Sequence, residues 1–147
     1  MILPDVNVLV YAHREEFPRH ALFRAWLEDL IGGEDPYALA AVILAGFVRI
    51  VTNPRVFDRA STMDDALAFT TVLREQPNCV WIGPDSLHWN LFETLCRQPG
   101  IKGGLVTDAY IAALAIEHRC VLATEDGDFQ RFQPRLSTVS PLVRVGK

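Results

Sequence analysis

Four aspartates occupy places where an acid is hard to account for. Asp5 ends the apolar run Ile2-Leu3-Pro4, Asp108 precedes the apolar segment that begins at Ala109, and Asp126 and Asp128 follow Cys120–Ala123 in the loop "TEDGDF". Charged side chains are almost never fully buried unless paired, and "VNVLVYA" after Asp5 holds no basic residue. Asp5 therefore needs a partner from elsewhere in the chain. Carboxylates gathered in one place raise one another's pKa until protons or a cation compensate. Oxygen donors without histidine or cysteine suit a hard cation, Mg²⁺ or Mn²⁺. Two such ions roughly 3.5–4 Å apart activate water and stabilise the attacking and leaving oxygens at phosphorus. The chemistry implied is metal-dependent phosphoryl hydrolysis.

Taken singly, three of these acids also have ordinary structural roles. Asp108, with Thr107, would cap a helix and complement its dipole. Asp126 and Asp128 would form a turn around Gly127.

Bringing the four together requires strands that end side by side. The opening residues read as a buried strand running into a helix. "FPRHALFRAWLEDLIGG" has Ala21, Leu22, Ala25, Trp26 and Leu30 at helical spacing, predicting an amphipathic helix ended by Gly32 and Gly33. "PYALAAVILAGFVRIVTNP" predicts a short strand entering a buried helix, read over residues 41–52 and stopped by Asn53-Pro54. "STMDDALAFTTVLREQP" starts with Thr62 three residues before Asp65, an imperfect capping box, and carries Ala66, Leu67, Phe69 and Leu73 inward. "CVWIGP" is a strand, and "DSLHWNLFETLCRQPG" a helix with Asp85 as its cap. "KGGLVTDAYIAALAIEHR" is a helix apolar nearly all round from Ala109 to Ile116, hence central, with Asp108 in its first turn. "CVLATEDGDF" is a buried strand leaving through an acidic loop, and "LSTVSP" a final strand.

Strands alternating with helices predict an α/β fold, a mainly parallel sheet covered on both faces. Ligands of such sheets bind beyond the carboxyl ends of the strands. Right-handed crossovers place those ends on one rim, so the four carboxylates are expected to converge.

The 147 residues suit one domain spanning 1–147. A net charge of −4 argues against a nucleic-acid binder held by electrostatics alone. Twelve of the fourteen basic residues are arginine, which we ascribe mainly to genomic bias. Cys79, Cys96 and Cys120 lack CxxC spacing and read as reduced thiols. The four histidines show no HExxH or HxxxH pair, and His20 reads as a helix surface residue. Asp5 and Asn7 interrupt the apolar start, and Tyr37 to Ile50 is too short to span a bilayer, so a cytoplasmic protein is expected.

"DVNVLVYA", "VTDAYIAALA" and "LATEDGDFQRF" follow one another in the order and spacing of the PIN-domain ribonucleases, and resemble most the VapC toxins of bacterial toxin–antitoxin pairs. "GFVRIVTNPRVF" resembles one branch of those toxins, so the likeness runs from Met1 to about Phe132. It implies a three-layer PIN-like fold and a Mg²⁺- or Mn²⁺-dependent endoribonuclease acting on tRNA, rRNA or mRNA. Hydrolysis would leave a 5′-phosphate and a 3′-hydroxyl. By the same resemblance Asp5, Asp108 and Asp126 are metal-binding and catalytic. Asp128 accompanies them, in some members as a ligand for a second ion. Asn7 supports the first acid, and Thr124 orients the acidic loop by hydrogen bonding. The implied partners are a second copy of the chain and a VapB-like antitoxin whose arginine enters the acidic pocket.

One departure stands out. The family usually has a glutamate where this chain has Gly46, in "LAGFVR", and no acid occurs from Tyr37 to Phe57. We expect Asp126 and Asp128, with water, to complete the metal shell and activity to be retained. Gly46 also has a structural reading, the close approach of a neighbouring helix at a cost of about 1 kcal/mol in helix propensity. Arg49 would either pair with a site acid or reach an RNA phosphate. Two competing readings are a PIN domain that binds RNA or a protein without cutting, and a phosphatase with Asp5 as nucleophile. The second is disfavoured because Asn7 stands where such enzymes usually place another acid.

Overall fold

In the computed structural model, which describes residues 1–142, the apolar segments pair into one sheet. Its strands are β1 (Ile2–Pro4), β2 (Tyr37–Ala40), β3 (Cys79–Ile82), β4 (Val121–Ala123) and β5 (Ser137–Val139). Their order is β3-β2-β1-β4-β5, and every pairing is parallel. Six α-helices connect them among the described residues: α1 (Val6–His13), α2 (His20–Gly32), α3 (Ala41–Val51), α4 (Met63–Arg74), α5 (His88–Cys96) and α6 (Gly104–Glu117). A 3-10 helix covers Gly127–Phe132. The α/β architecture expected from the alternating pattern is present.

Burial explains why these short strands hold. β2 is inaccessible along its whole length, and Leu3, Leu122 and Ala123 of the adjoining strands are equally buried. A strand covered on both faces reads as an uninterrupted apolar run, as "YALA" does. In α6, Ala109 and the five residues from Ile111 to Ala115 are buried, so this helix is central as its all-round apolarity predicted. It packs on α5, β4 and the 3-10 helix, while α1 packs on α2 and α3. No helix among the described residues is long and apolar enough to cross a membrane.

Several local expectations are corrected. The inward face of α2 is carried by Phe23 and Leu27, whereas Leu22 is 57% exposed and Ala21 and Ala25 also face out. Phe23 packs at a tilt against Tyr11 of α1 with ring centroids 5.0 Å apart, and burying that large ring rotates the apolar stripe by one position. In α4 the buried stripe is Ala66, Thr70 and Leu73, with Leu67 exposed. Thr70 tolerates burial because its hydroxyl donates to the Leu67 carbonyl, 2.8 Å away. Thr62 does cap α4, accepting from the Asp65 amide at 3.1 Å. His20 is half-buried, its Nδ1 lying 2.8 Å from the Tyr11 carbonyl.

Asp85 does not cap α5. That helix begins after Leu87, and the Asp85 carboxylate turns instead to the adjacent Ser86 amide. The Glu117 carboxylate, from the end of α6, accepts from the amides of both Asp85 and Leu87 at 2.8 Å. His118 Nε2 meets the Gly83 carbonyl at 2.7 Å, so the end of α6 clasps the whole entry to α5. The three cysteines are free thiols, as expected.

Candidate active site

β1 and β4 are parallel neighbours with Pro4 opposite Ala123, so the residues that follow them leave the sheet together. These residues are Asp5 and Thr124. Asp5 is the N-cap of α1, and one of its oxygens accepts from the Val6 amide at 2.8 Å. The other accepts from the Thr124 hydroxyl at 2.7 Å. Thr124 Oγ1 in turn accepts from the Asp126 amide at 3.0 Å, and the Asp126 carboxylate accepts from the Asp128 amide at 2.9 Å. A single line of hydrogen bonds thus runs from the end of β1 through the acidic loop.

Asp108 arrives from α6, but not as a cap. The helix starts at Gly104, after Gly103 at φ +57°, which puts Asp108 in the second turn with no orphan amide to satisfy. The capping explanation of Asp108 therefore falls away. Its carboxylate, with those of Asp126 and Asp128, offers oxygens that all lie within 4.8 Å of one another. Asp5 stands outside this triangle yet lines the same cavity, of about 460 Å³, together with Asn7, Gly46, Arg49, Asp108 and Asp126. Asp128 sits at the exposed edge, 3.6 Å from Arg131.

The electrostatics follow from this crowding. Asp108 is pushed up to about 6, by burial first and then by the charges of Asp126, Asp5 and Asp128, with Arg131 opposing. Asp5 is 5% exposed, and burial raises its pKa although Thr124 and Val6 stabilise the ionised form. Asn7 Oδ1 is buried without a hydrogen-bond partner. Excess negative charge, an all-oxygen donor set and an unpaired amide oxygen on one cavity suit a hard divalent cation.

Arg49 lines this cavity, is exposed and makes no ion pair with a described carboxylate, so its pairing with a site acid is not realised. Sequence reasoning did not identify Tyr11, Phe17, Val56 and Phe57, which supply aromatic and apolar walls. Tyr11 and Phe17 flank "AHREE" and Val56 and Phe57 close "NPRVF", and neither stretch carries a spacing that marks a cavity wall.

Gly46 has a specific neighbour. A Cβ at this position would lie 3.1 Å from Val6 Cγ2, so the glycine lets α3 approach the first turn of α1, directly after Asp5. Val6 is β-branched and cannot readily turn aside. In a double-mutant cycle, Gly46→Ala is expected to be about 1 kcal/mol more favourable in a Val6→Ala background than in the parent, because only there is the helix-propensity gain free of the clash. Urea unfolding of the four proteins measures this coupling, and additive effects would show that the contact is not limiting.

The PIN domain family model matches residues 2–133. Ribonuclease VapC25 of Mycobacterium tuberculosis is 38% identical over 132 residues, 90% of this chain and 93% of its own length. VapC ribonuclease Mb2897 of Mycobacterium bovis is 38% identical over 142 residues, 97% of this chain and 96% of its own. Among solved structures, VapBC2 from Rickettsia felis bound to a promoter DNA fragment superposes with a TM-score of 0.69 at 20% identity, covering 95% of this chain and 98% of that one. Mycobacterium tuberculosis VapC20, a sarcin–ricin loop cleaving toxin, gives 0.64 at 15% identity, covering 90% and 95%.

Proposed function

We infer from one premise, that this chain belongs to the PIN-domain family and within it resembles the VapC ribonucleases, that it is the toxin of a toxin–antitoxin pair and an endoribonuclease. The observation that carries the reading is the trio of carboxylates within 4.8 Å of one another beside the buried Asp5. Asp108, Asp126 and Asp128, with Asp5 behind them, are the residues that would hold Mg²⁺ or Mn²⁺. Bound there, the cation supplies Lewis acidity toward a phosphoryl oxygen and lowers the pKa of water.

The remaining roles belong to the chain itself. Asp5 and Asp126 accept protons or hydrogen bonds from the attacking water, and Thr124 keeps both in register through its paired hydrogen bonds. Asn7 supplies a neutral oxygen on the same wall. Arg49 presents a guanidinium to a phosphate of the RNA strand. Hydrolysis then leaves a 5′-phosphate and a 3′-hydroxyl. A VapB-like antitoxin would silence the enzyme by placing an arginine against the excess negative charge, and the toxin would act in the cytoplasm as a homodimer. The phosphatase reading stays disfavoured, because Asn7 stands two residues after Asp5 where such enzymes usually place another acid.

Incubation with total tRNA, rRNA and mRNA in Mn²⁺ tests this directly. Defined fragments are expected, absent with chelator and with Asp5→Asn, and sequencing of the new 5′ ends identifies the bond. Identical traces from the parent and Asp5→Asn would leave a PIN domain that binds without cutting.

A further inference from the structure

The loop from Asn53 to Ser61, between α3 and α4, has no regular helix or strand, yet its Val56 and Phe57 wall the cavity that holds Asp5 and Asp108. Its first half is a tight turn. The Asn53 carbonyl accepts from the amides of Val56 and Phe57 at 3.0 and 3.2 Å, and the Asn53 side chain accepts from the Arg55 amide at 3.0 Å.

The second half is held from outside by Arg14, the residue that ends α1. Arg14 Nε and Nη2 donate to the two oxygens of Glu16 at 2.9 and 2.7 Å. Nη1 donates to Ser61 Oγ at 2.9 Å, and Nη2 also donates to the Arg59 carbonyl at 2.6 Å. The guanidinium carbon lies 4.3 Å from the centroid of the Phe57 ring. Ser61 Oγ is gripped a second time by His13 Nε2 at 3.0 Å. Only 11% of the Arg14 side chain is exposed. A planar fork making four charge-assisted hydrogen bonds while lying over a ring is a role that lysine cannot fill.

What the loop presents is also informative. Phe57 is buried and anchors it, whereas Val56 is 54% exposed among the apolar walls of the cavity that holds the acids. An apolar side chain held there by design contributes little to the core and offers contact surface to a ribose or base. Arg49 on the same cavity offers a cation to the adjoining phosphate.

We propose that the Asn53–Ser61 loop is the wall against which the RNA strand lies, and that Arg14 is the positioning residue that holds this wall in place. The RNA side of the proposal rests on the nuclease reading above; the dependence of the loop on Arg14 does not. Hydrogen exchange of the full chain, with Arg14→Met and Arg14→Lys, tests the latch. Exchange across residues 53–61 should rise about tenfold in both variants while amides of α6 are unchanged, the loss of roughly one charge-assisted bond.

Binding of total tRNA in an Asp108→Asn background tests the wall without cleavage. Both Arg14 variants and Val56→Ser should weaken Kd about tenfold, Val56→Ser without altering loop exchange. In the cleaving enzyme the same changes should raise KM, with kcat and the Mn²⁺ half-saturation held within about twofold. Parental exchange in Arg14→Met overturns the latch, and unchanged tRNA affinity in Arg14→Lys and Val56→Ser overturns the wall. Weakened tRNA binding by these variants of a parent that cuts no RNA would sustain the wall and sink the nuclease reading.

Discussion

Asp108→Asn is expected to stabilise the metal-free protein above pH 6 and at the same time to abolish RNA cleavage. The Asp108 pKa rises from 3.8 to about 6 in the fold. Between these values the native state holds a proton that the unfolded chain has released, so stability falls as pH climbs through the window and stays low above it. Asparagine carries no charge to desolvate and no repulsion with Asp126 and Asp5. After allowance for the solvent screening of a partly exposed carboxylate, the gain is about 1 kcal/mol, or roughly 3 °C in Tm. Thermal unfolding in chelator should show no advantage at pH 3.5, a growing one from pH 4 to 6 and a constant one beyond. An advantage independent of pH would mean that charge is not its source. Cleavage should fall by a factor on the order of 10² or more, since the same carboxylate is a proposed metal ligand.

Thr124→Val is expected to be the most damaging isosteric change in the chain. The buried Thr124 hydroxyl donates to Asp5 and accepts from the Asp126 amide, and valine leaves one Asp5 oxygen and the Asp126 amide unpaired. An unsatisfied buried group costs about 1–3 kcal/mol, more when charged, so a loss of about 2–4 kcal/mol is expected. Thr124→Ser, which keeps the hydroxyl, should retain most of the stability. Because the Thr124 bond lowers an Asp5 pKa that burial raises, its removal sends that pKa higher still, and the deficit should shrink as pH falls and Asp5 protonates. Urea midpoints of the three proteins at pH 7 and pH 4.5 measure this. A loss equal at both pH values would assign it to packing instead of to Asp5.

The layered α/β fold was legible because it depends on patterns that local sequence carries. The uninterrupted apolar run of β2 and the all-round apolarity of α6 each permit one main interpretation, and the strand ends then place Asp5 and the acidic loop on one rim. What escaped sequence reasoning was set by partners far along the chain. Glu117, 32 and 30 positions away, binds the amides of Asp85 and Leu87 that lead into α5. Arg14 reaches Ser61 across 47. Neither leaves a local trace. The start of α6 was misplaced by a few residues around Gly103, enough to make Asp108 resemble a cap when it belongs to the second turn. The missing acid at Gly46 was plain in the sequence, but its contact with Val6 was not, since helix approach depends on crossing geometry. On α4 Ala66, Phe69 and Leu73 turn inward as expected and Leu67 does not, while on α2 only Trp26 and Leu30 of the expected face pack on the core, because spacing shows that a stripe exists and packing decides where its edge lies.

The bond between Asp5 and Thr124 joins residues 119 positions apart, and β1 lies between β2 and β4, a strand made long after both of them. During synthesis the amino-terminal half can fold its helices, but β1 has no partner on one side until Val121–Ala123 leaves the ribosome. The acidic loop follows directly after. A nascent chain that stops short of β4 therefore cannot assemble the proposed cutting site, and a product that ends before Thr124 lacks Asp126 and Asp128 as well. For a protein proposed to destroy RNA, the topology itself delays assembly of the site until β4 and the acidic loop after it have been made.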